Sequence, residues 1–99
     1  MLEEILGSRI KIRILRKLSE NPKREFTLDE LSFMLKLSHG SILPSLRKLA
    51  DARILITKRS GRAILYKLNL SSTLLKEVLK LFSMEATLFL TLTKNFVKN

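Results

Sequence analysis

The sequence contains no cysteine, a single histidine, two prolines and three glycines in 99 residues. Without cysteine there is no disulfide, no thiolate nucleophile and no cysteine metal site, and the redox compartment is left open. One histidine cannot build a histidine-rich metal site. There is no glycine-rich phosphate loop and no H-x-x-x-H pair, so no catalytic arrangement, cofactor or metal is expected. Long apolar runs are missing too. The greasiest stretch, Val78 to Leu92, is interrupted by Lys80 and Glu85, which argues against a membrane-spanning helix. The opening residues, MLEEILGSRI, carry two acids and no basic run, so they do not read as a signal or transit peptide. The expected location is cytoplasmic.

What the chain does have is positive charge. Nineteen Lys and Arg stand against nine Asp and Glu, for a net charge of +10. That excess points to a polyanionic partner, nucleic acid or an anionic membrane. Apolar residues at 45% give ordinary globular composition, enough for one core. The charge is uneven: residues 1–70 hold 15 basic and 7 acidic groups, residues 71–99 only 4 and 2.

The spacing predicts a helix over 8–21, with Ile10, Ile14, Leu15 and Leu18 on one side and Arg9, Arg13, Arg16 and Lys17 on the other. Ser8 is its N-cap, and Asn21-Pro22 stops it. A second helix starts at Leu28, because Thr27 and Glu30 form a T-x-x-E capping box and Phe26 with Leu31 a hydrophobic staple. Leu31, Met34 and Leu35 give it a buried stripe, and it ends near Lys36 or Leu37. After a short turn, Ile42, Leu46, Leu49 and Ala50 predict a third helix. Its outer side carries Ser41, Pro44, Arg47 and Lys48, with Ser45 at the edge. Two helices joined by about three residues, the second polar and basic outside, is the helix-turn-helix plan.

Two apolar runs follow, Ile54–Thr57 and Ala63–Leu68, with Ser60-Gly61 between them. They predict a hairpin whose tip holds Lys58, Arg59 and Arg62, a basic wing placed to reach phosphates or the minor groove. Residues 71–99 have no Gly or Pro and predict a helix of six or seven turns starting from Ser71 or Ser72. Leu75, Leu79, Phe82, Ala86, Phe89 and Phe96 make one stripe, and Leu74, Val78, Leu81, Leu88 and Leu92 a second. A helix apolar on two sides needs two partners: the body of the domain and, most simply, the same helix of a second chain, the alternative being that it wraps deeper into its own core. Its polar face is rich in Ser, Thr and Glu, which argues against binding along a membrane surface. Met34 and Met84 read as core filler.

Pro44 stands inside the third helix. If Ser38 caps that helix, Pro44 denies Gly40 its carbonyl partner, and an irregular first turn from His39 to Leu43 is expected, with regular bonding only from the Ser41 carbonyl onward. Such a turn would leave the amides of Gly40 and Ser41 facing a phosphate.

The stretches GSILPSLRKLADARIL and AILYKLN, within residues 38–69, resemble winged-helix transcription regulators, and most closely the PadR family. There the recognition helix carries G-[S/T]-x-aromatic-P-x-L-x-[R/K]-L and the last wing strand ends in an aromatic, a basic residue and a leucine. Gly40, Ser41, Pro44, Leu46, Lys48 and Leu49 match, as do Tyr66, Lys67 and Leu68. Leu43 stands where the family usually has tyrosine, and Arg53 where winged helices usually have a left-handed glycine. The first helix lacks the family's His-Gly-Tyr ending. ArsR- and MarR-like regulators are also similar, without the cysteine ligands of their metal-sensing members. The resemblance implies a C-terminal helix that makes a dimer.

The expected fold class is therefore α+β: a winged helix-turn-helix DNA-binding domain over residues 1–70 and a long C-terminal dimerisation helix over 71–99 packed on it. The expected function is sequence-specific binding of double-stranded DNA in transcriptional control, as a homodimer. Ser41, Ser45, Lys48 and His39 would face base edges, with Gly40 and Pro44 shaping that end, and Arg47, Lys58, Arg59 and Arg62 would meet phosphates. Leu75, Leu79, Phe82, Ala86, Phe89 and Phe96 would carry the dimer. Two other readings compete: a sequence-neutral architectural chromatin protein, separated by its ratio of specific to nonspecific affinity, and a winged helix that binds protein, separated by filter binding. No small-molecule effector can be read from the sequence.

Overall fold

The structure, a computed structural model, describes Ile5 and residues 7–97, with side chains described as far as Glu85. Its elements are α1 (Arg9–Ser19), β1 (Phe26–Thr27), α2 (Leu28–Leu35), α3 (His39–Asp51), β2 (Leu55–Ser60), β3 (Ala63–Leu68) and α4 (Thr73–Val97). The three strands form one antiparallel sheet in the order β1-β3-β2. The expected α+β class, with a helix-turn-helix followed by a wing, is the observed one.

Local chemistry sets each helix start. The Ser8 hydroxyl accepts from the Lys11 amide at 3.2 Å. At α2 the capping box closes in both directions: the Glu30 amide donates to Thr27 Oγ1 at 3.1 Å, and the Thr27 amide to Glu30 Oε1 at 3.0 Å. Phe26 and Leu31, the two staple residues, are both buried. Ser72 caps α4, accepting from the Leu75 amide at 3.1 Å.

The capping box has a pH signature. The Thr27 amide holds the Glu30 carboxyl below the usual carboxylate range; slight burial works the other way, and Arg24, 2.9 Å from Glu30 Oε2, adds to the lowering. A carboxyl depressed in the fold stabilises it above its unfolded pKa, about 4.3, and loses that contribution as pH falls through the lower, folded value. Urea midpoints are expected to fall below that pH, and Glu30→Gln to flatten this part of the profile. Thr27→Ala is expected to cost about 1 kcal/mol at neutral pH, read from the same unfolding curves.

Two helix ends turn in left-handed backbone without glycine, at Lys36 (φ 55°) and Arg53 (φ 60°). At the end of α3, the Arg53 amide donates to the Ala50 carbonyl at 2.9 Å and the Ile54 amide to the Leu49 carbonyl at 3.0 Å. This is a Schellman closure, with Leu49 and Ile54 buried together beneath it. Arg53→Gly relieves a side chain from αL and is expected to raise stability by up to about 1 kcal/mol. A lowered thermal midpoint would show that the arginine side chain compensates.

One core joins all the helices and the sheet. Ile14, Leu15, Leu18, Phe26, Leu31, Ile42, Leu46, Leu49 and Ile54 are essentially inaccessible, together with Leu75 and Val78 from α4. Arg16 lies 4.5 Å over the Phe82 ring and pairs with Glu85, so α1 and α4 are also joined at the surface.

Several expectations are corrected. The strands run further than the apolar residues suggest: Lys58 and Arg59 lie inside β2, paired with Leu65 and Ile64, and only Gly61 and Arg62 form the turn. The pair Phe26–Thr27, read as staple and cap, is also a short strand on Tyr66 and Leu65. Met84 is exposed rather than core filler, whereas Met34 packs against the core. Lys11, unremarked in the sequence, is buried, with 7% of the residue exposed. The first turn of α3 is regular despite Pro44: Ser38 caps it, and the Ile42 amide reaches the Ser38 carbonyl four residues back at 3.1 Å. Gly40, whose carbonyl Pro44 deprives of its amide partner four residues on, is an exposed residue.

Candidate nucleic-acid interface

The turn between α2 and α3 is three residues long, and α3 packs its Ile42, Leu46 and Leu49 into the core. Its other side is therefore held outward by that core. His39, Gly40, Ser41, Pro44, Arg47 and Lys48 are exposed, and Ser45 is half-buried. The predicted base-facing residues therefore do share one outward surface.

Some of their groups are already engaged. The Ser41 amide donates to Ser38 Oγ at 3.2 Å and to the Ser38 carbonyl at 3.1 Å, and the two serine hydroxyls are 2.9 Å apart. The Ser41 amide is thus not the free anion donor that the irregular-turn expectation required. His39 Nε2 lies 2.9 Å from Asp29 Oδ1, a link between the first turns of α3 and α2. Because the first turn is regular already, Pro44→Ala has nothing there to regularise. Its new amide can reach the Gly40 carbonyl, and calorimetry is expected to show stability unchanged or higher by up to about 1 kcal/mol.

The register sorts the wing's cations. Side chains paired across strands share a face, and alternate residues switch face. Leu55 with Leu68, Thr57 with Tyr66 and Arg59 with Ile64 form one face. Leu55, Leu68 and Tyr66 are buried, so that face turns to the body of the protein. Ile56 with Lys67 and Lys58 with Leu65 form the opposite face. Arg59 and Lys58, neighbours in sequence, point to opposite sides of the hairpin. Arg62 and Arg47 line a common cleft of about 500 Å³ between α3, the start of α2 and the wing. Sequence reasoning gave both arginines and noted Leu43 and Tyr66 for other reasons, but gave no site role to Asp29, Asp51, Thr57 or Ile64, which also line the cleft. The i, i+4, i+8 row of Leu43, Arg47 and Asp51 on α3 was the available signal.

Of the residues assigned to a dimer, Leu75 is corrected: it is sealed in the chain's own core with Val78. Leu79 and Phe82 are half-buried against the same core. The side chains of Ala86, Phe89 and Phe96 lie outside the described residues. Among the described residues no group of three metal-ligating side chains converges, and no helix is long and apolar enough to cross a membrane.

A helix-turn-helix with an antiparallel hairpin packed behind it, edged by a third short strand, defines the winged-helix class. Solved structures of that class superpose over most of this chain. The antimony-specific transcriptional repressor AntR is similar at 22% identity and a TM-score of 0.74, over 94% of this chain and 78% of its own. The transcriptional repressor BigR from Xylella fastidiosa is similar at 21% identity and 0.70, over 87% and 81%. HlyU from Vibrio cholerae N16961 is similar at 26% identity and 0.67, over 82% and 83%. No protein-family model matches the sequence, and no curated protein sequence matches it.

Proposed function

We propose that this chain is a sequence-specific double-stranded DNA-binding regulator of transcription that acts as a homodimer. The observation that carries it is that α3 and the inner face and tip of the wing expose Arg47, Lys48, Arg59 and Arg62, with Lys58 on the wing's other face, on a fold shared with repressors. Ser41, Ser45 and Lys48 offer short donors and acceptors to base edges, and the arginines meet phosphates. The PadR-like assignment rests on residues 38–69 alone. AntR is named for antimony; this chain has no cysteine, so no response through thiolate ligands is proposed for it. Nothing in the reading requires catalysis or a cofactor.

Selection of bound sites from random duplex DNA tests the proposal. A regulator yields a motif of two half-sites about one helical turn apart, bound at least about 1,000-fold more tightly than unrelated duplex. No enriched motif, with tight binding to every duplex, would instead establish the architectural reading. Absence of DNA retention on a filter at low salt would leave the protein-binding winged helix.

A further inference from the structure

We propose that the cleft between α3 and the wing binds a small zwitterionic aromatic molecule of the amino-acid type, and that its binding weakens the grip on DNA. The second half rests on the DNA-binding reading above; the first does not.

The cleft has the size of a small-molecule site, about 500 Å³. Its apolar wall comes from Leu28, Leu43, Ala50, Ile64 and the Tyr66 ring. Ile64 is 42% exposed although it stands on the inward face of the hairpin. Tyr66 is 5% exposed, yet its hydroxyl has no hydrogen-bond partner among the described residues and is not sealed from solvent. Buried tyrosines normally find a partner for that group. Here it is a polar handle inside an apolar wall.

The charges argue for the kind of ligand. In a chain of net charge +10 the lining is balanced, with Arg47 and Arg62 against Asp29 and Asp51. Asp29 is engaged by His39. The side chains of Arg47, Asp51 and Arg62 make no ion pair or hydrogen bond with any described residue. A sugar-phosphate strand can meet Arg47 and Arg62, but it leaves the apolar wall and the two carboxylates of the lining unmatched. A compact zwitterion suits it on every count. Its carboxylate meets Arg47 and Arg62, its ammonium meets Asp51, and its ring covers Leu43, Ile64 and Tyr66. A ligand so placed bridges the two DNA-contacting elements and occupies two of their cations. It therefore competes with phosphate, and by linkage DNA weakens the ligand by the same factor.

The test uses the full chain, labelled with ¹⁵N and free of DNA, titrated with L-tryptophan, indole-3-acetate and tryptamine. L-Tryptophan is expected to shift the amides of Ala50, Asp51 and Arg62 to Ile64 with a Kd of about 1 mM or tighter. It should bind about 3- to 5-fold more tightly than either singly charged analogue. Asp51→Asn should reduce tryptophan to the level of indole-3-acetate while leaving indole-3-acetate itself no weaker. Absence of shifts up to about 10 mM, shifts confined to α4, or equal binding of all three probes would overturn the site. With the site occupied, DNA affinity should drop at least 3-fold at about 10 mM tryptophan. Cleft binding with DNA affinity unchanged would sink the competition and leave both the site and the DNA reading intact.

Discussion

Replacing Arg59 and Arg62 together by alanine is expected to cost on the order of 100-fold in DNA affinity near 0.1 M salt, and Lys58→Ala far less. The register is the reason. Arg59 shares a face with Thr57, Tyr66 and Ile64, the side of the hairpin that borders α3, and Arg62 lines the same cleft as Arg47. Lys58 stands on the other face beside Leu65 and Lys67. Each phosphate contact releases counterions, so about six contacts from a dimer give a slope of log K against log salt near −5. Removing two cations from each protomer should reduce its magnitude by three or more, whereas Lys58→Ala should move it by less than one. All three residues are exposed, so melting temperatures should stay within a degree or two of the parent. Measurement is by fluorescence anisotropy of a labelled duplex from about 50 to 200 mM salt. A larger loss from Lys58 than from the arginine pair would show that the hairpin meets DNA with its outer face.

Ending the chain after Leu70 is expected to abolish folding rather than to release a monomer. Leu75 and Val78 are fully buried, and Leu74, Leu79 and Phe82 pack against the same core. Each fully buried aliphatic side chain contributes about 1.5–3 kcal/mol. Losing two of them and the partial cover of three more removes an amount comparable to the whole stability of a small domain, about 5–15 kcal/mol. Leu75→Ala alone should cost about 2–5 kcal/mol in urea unfolding. A chain ending after Glu85 keeps these contacts and the Arg16–Glu85 pair, and should melt cooperatively. Sedimentation then separates the two roles of α4. If the shortened chain is monomeric where the full chain is dimeric, assembly resides in residues 86–99. A well-folded protein from the cut at Leu70 would show that α4 is not part of the core.

The parts of the fold legible in the sequence are those whose cause is local. The capping box needs only Thr27 and Glu30, three residues apart, and both of its hydrogen bonds form. The inward face of α3 follows from the spacing of Ile42, Leu46 and Leu49. The αL residue at the end of α3 was legible through the family resemblance, which puts Arg53 where winged helices usually have a left-handed glycine, and it adopts φ 60°. What escaped depends on distant partners. Lys58, Arg59 and Ser60 look like turn residues until β3 pairs with them. Leu75 and Val78 were assigned to different stripes, yet residues three apart stand only about 60° apart on a helix, and one core takes both. The cleft draws on α2, α3 and both wing strands, so no single window contains it.

The join between α3 and the wing acts as the pivot of a lever. Arg53 turns the chain, its carbonyl receives the Asn69 side-chain amide at 2.7 Å, and the Asn69 backbone amide reaches the Ile54 carbonyl at 2.9 Å. Both ends of the hairpin are thereby pinned to one point. A hairpin with six-residue strands extends about 20 Å from that point. A swing of about 10° at the pivot would carry Gly61 and Arg62 through about 3.5 Å, more than the span of a hydrogen bond. The aim of the distal arginine thus depends on angular tolerance at the Asn69 join and on the grip of β1 at Tyr66 and Leu65, so small changes in sequence at either place retune the reach of the arm.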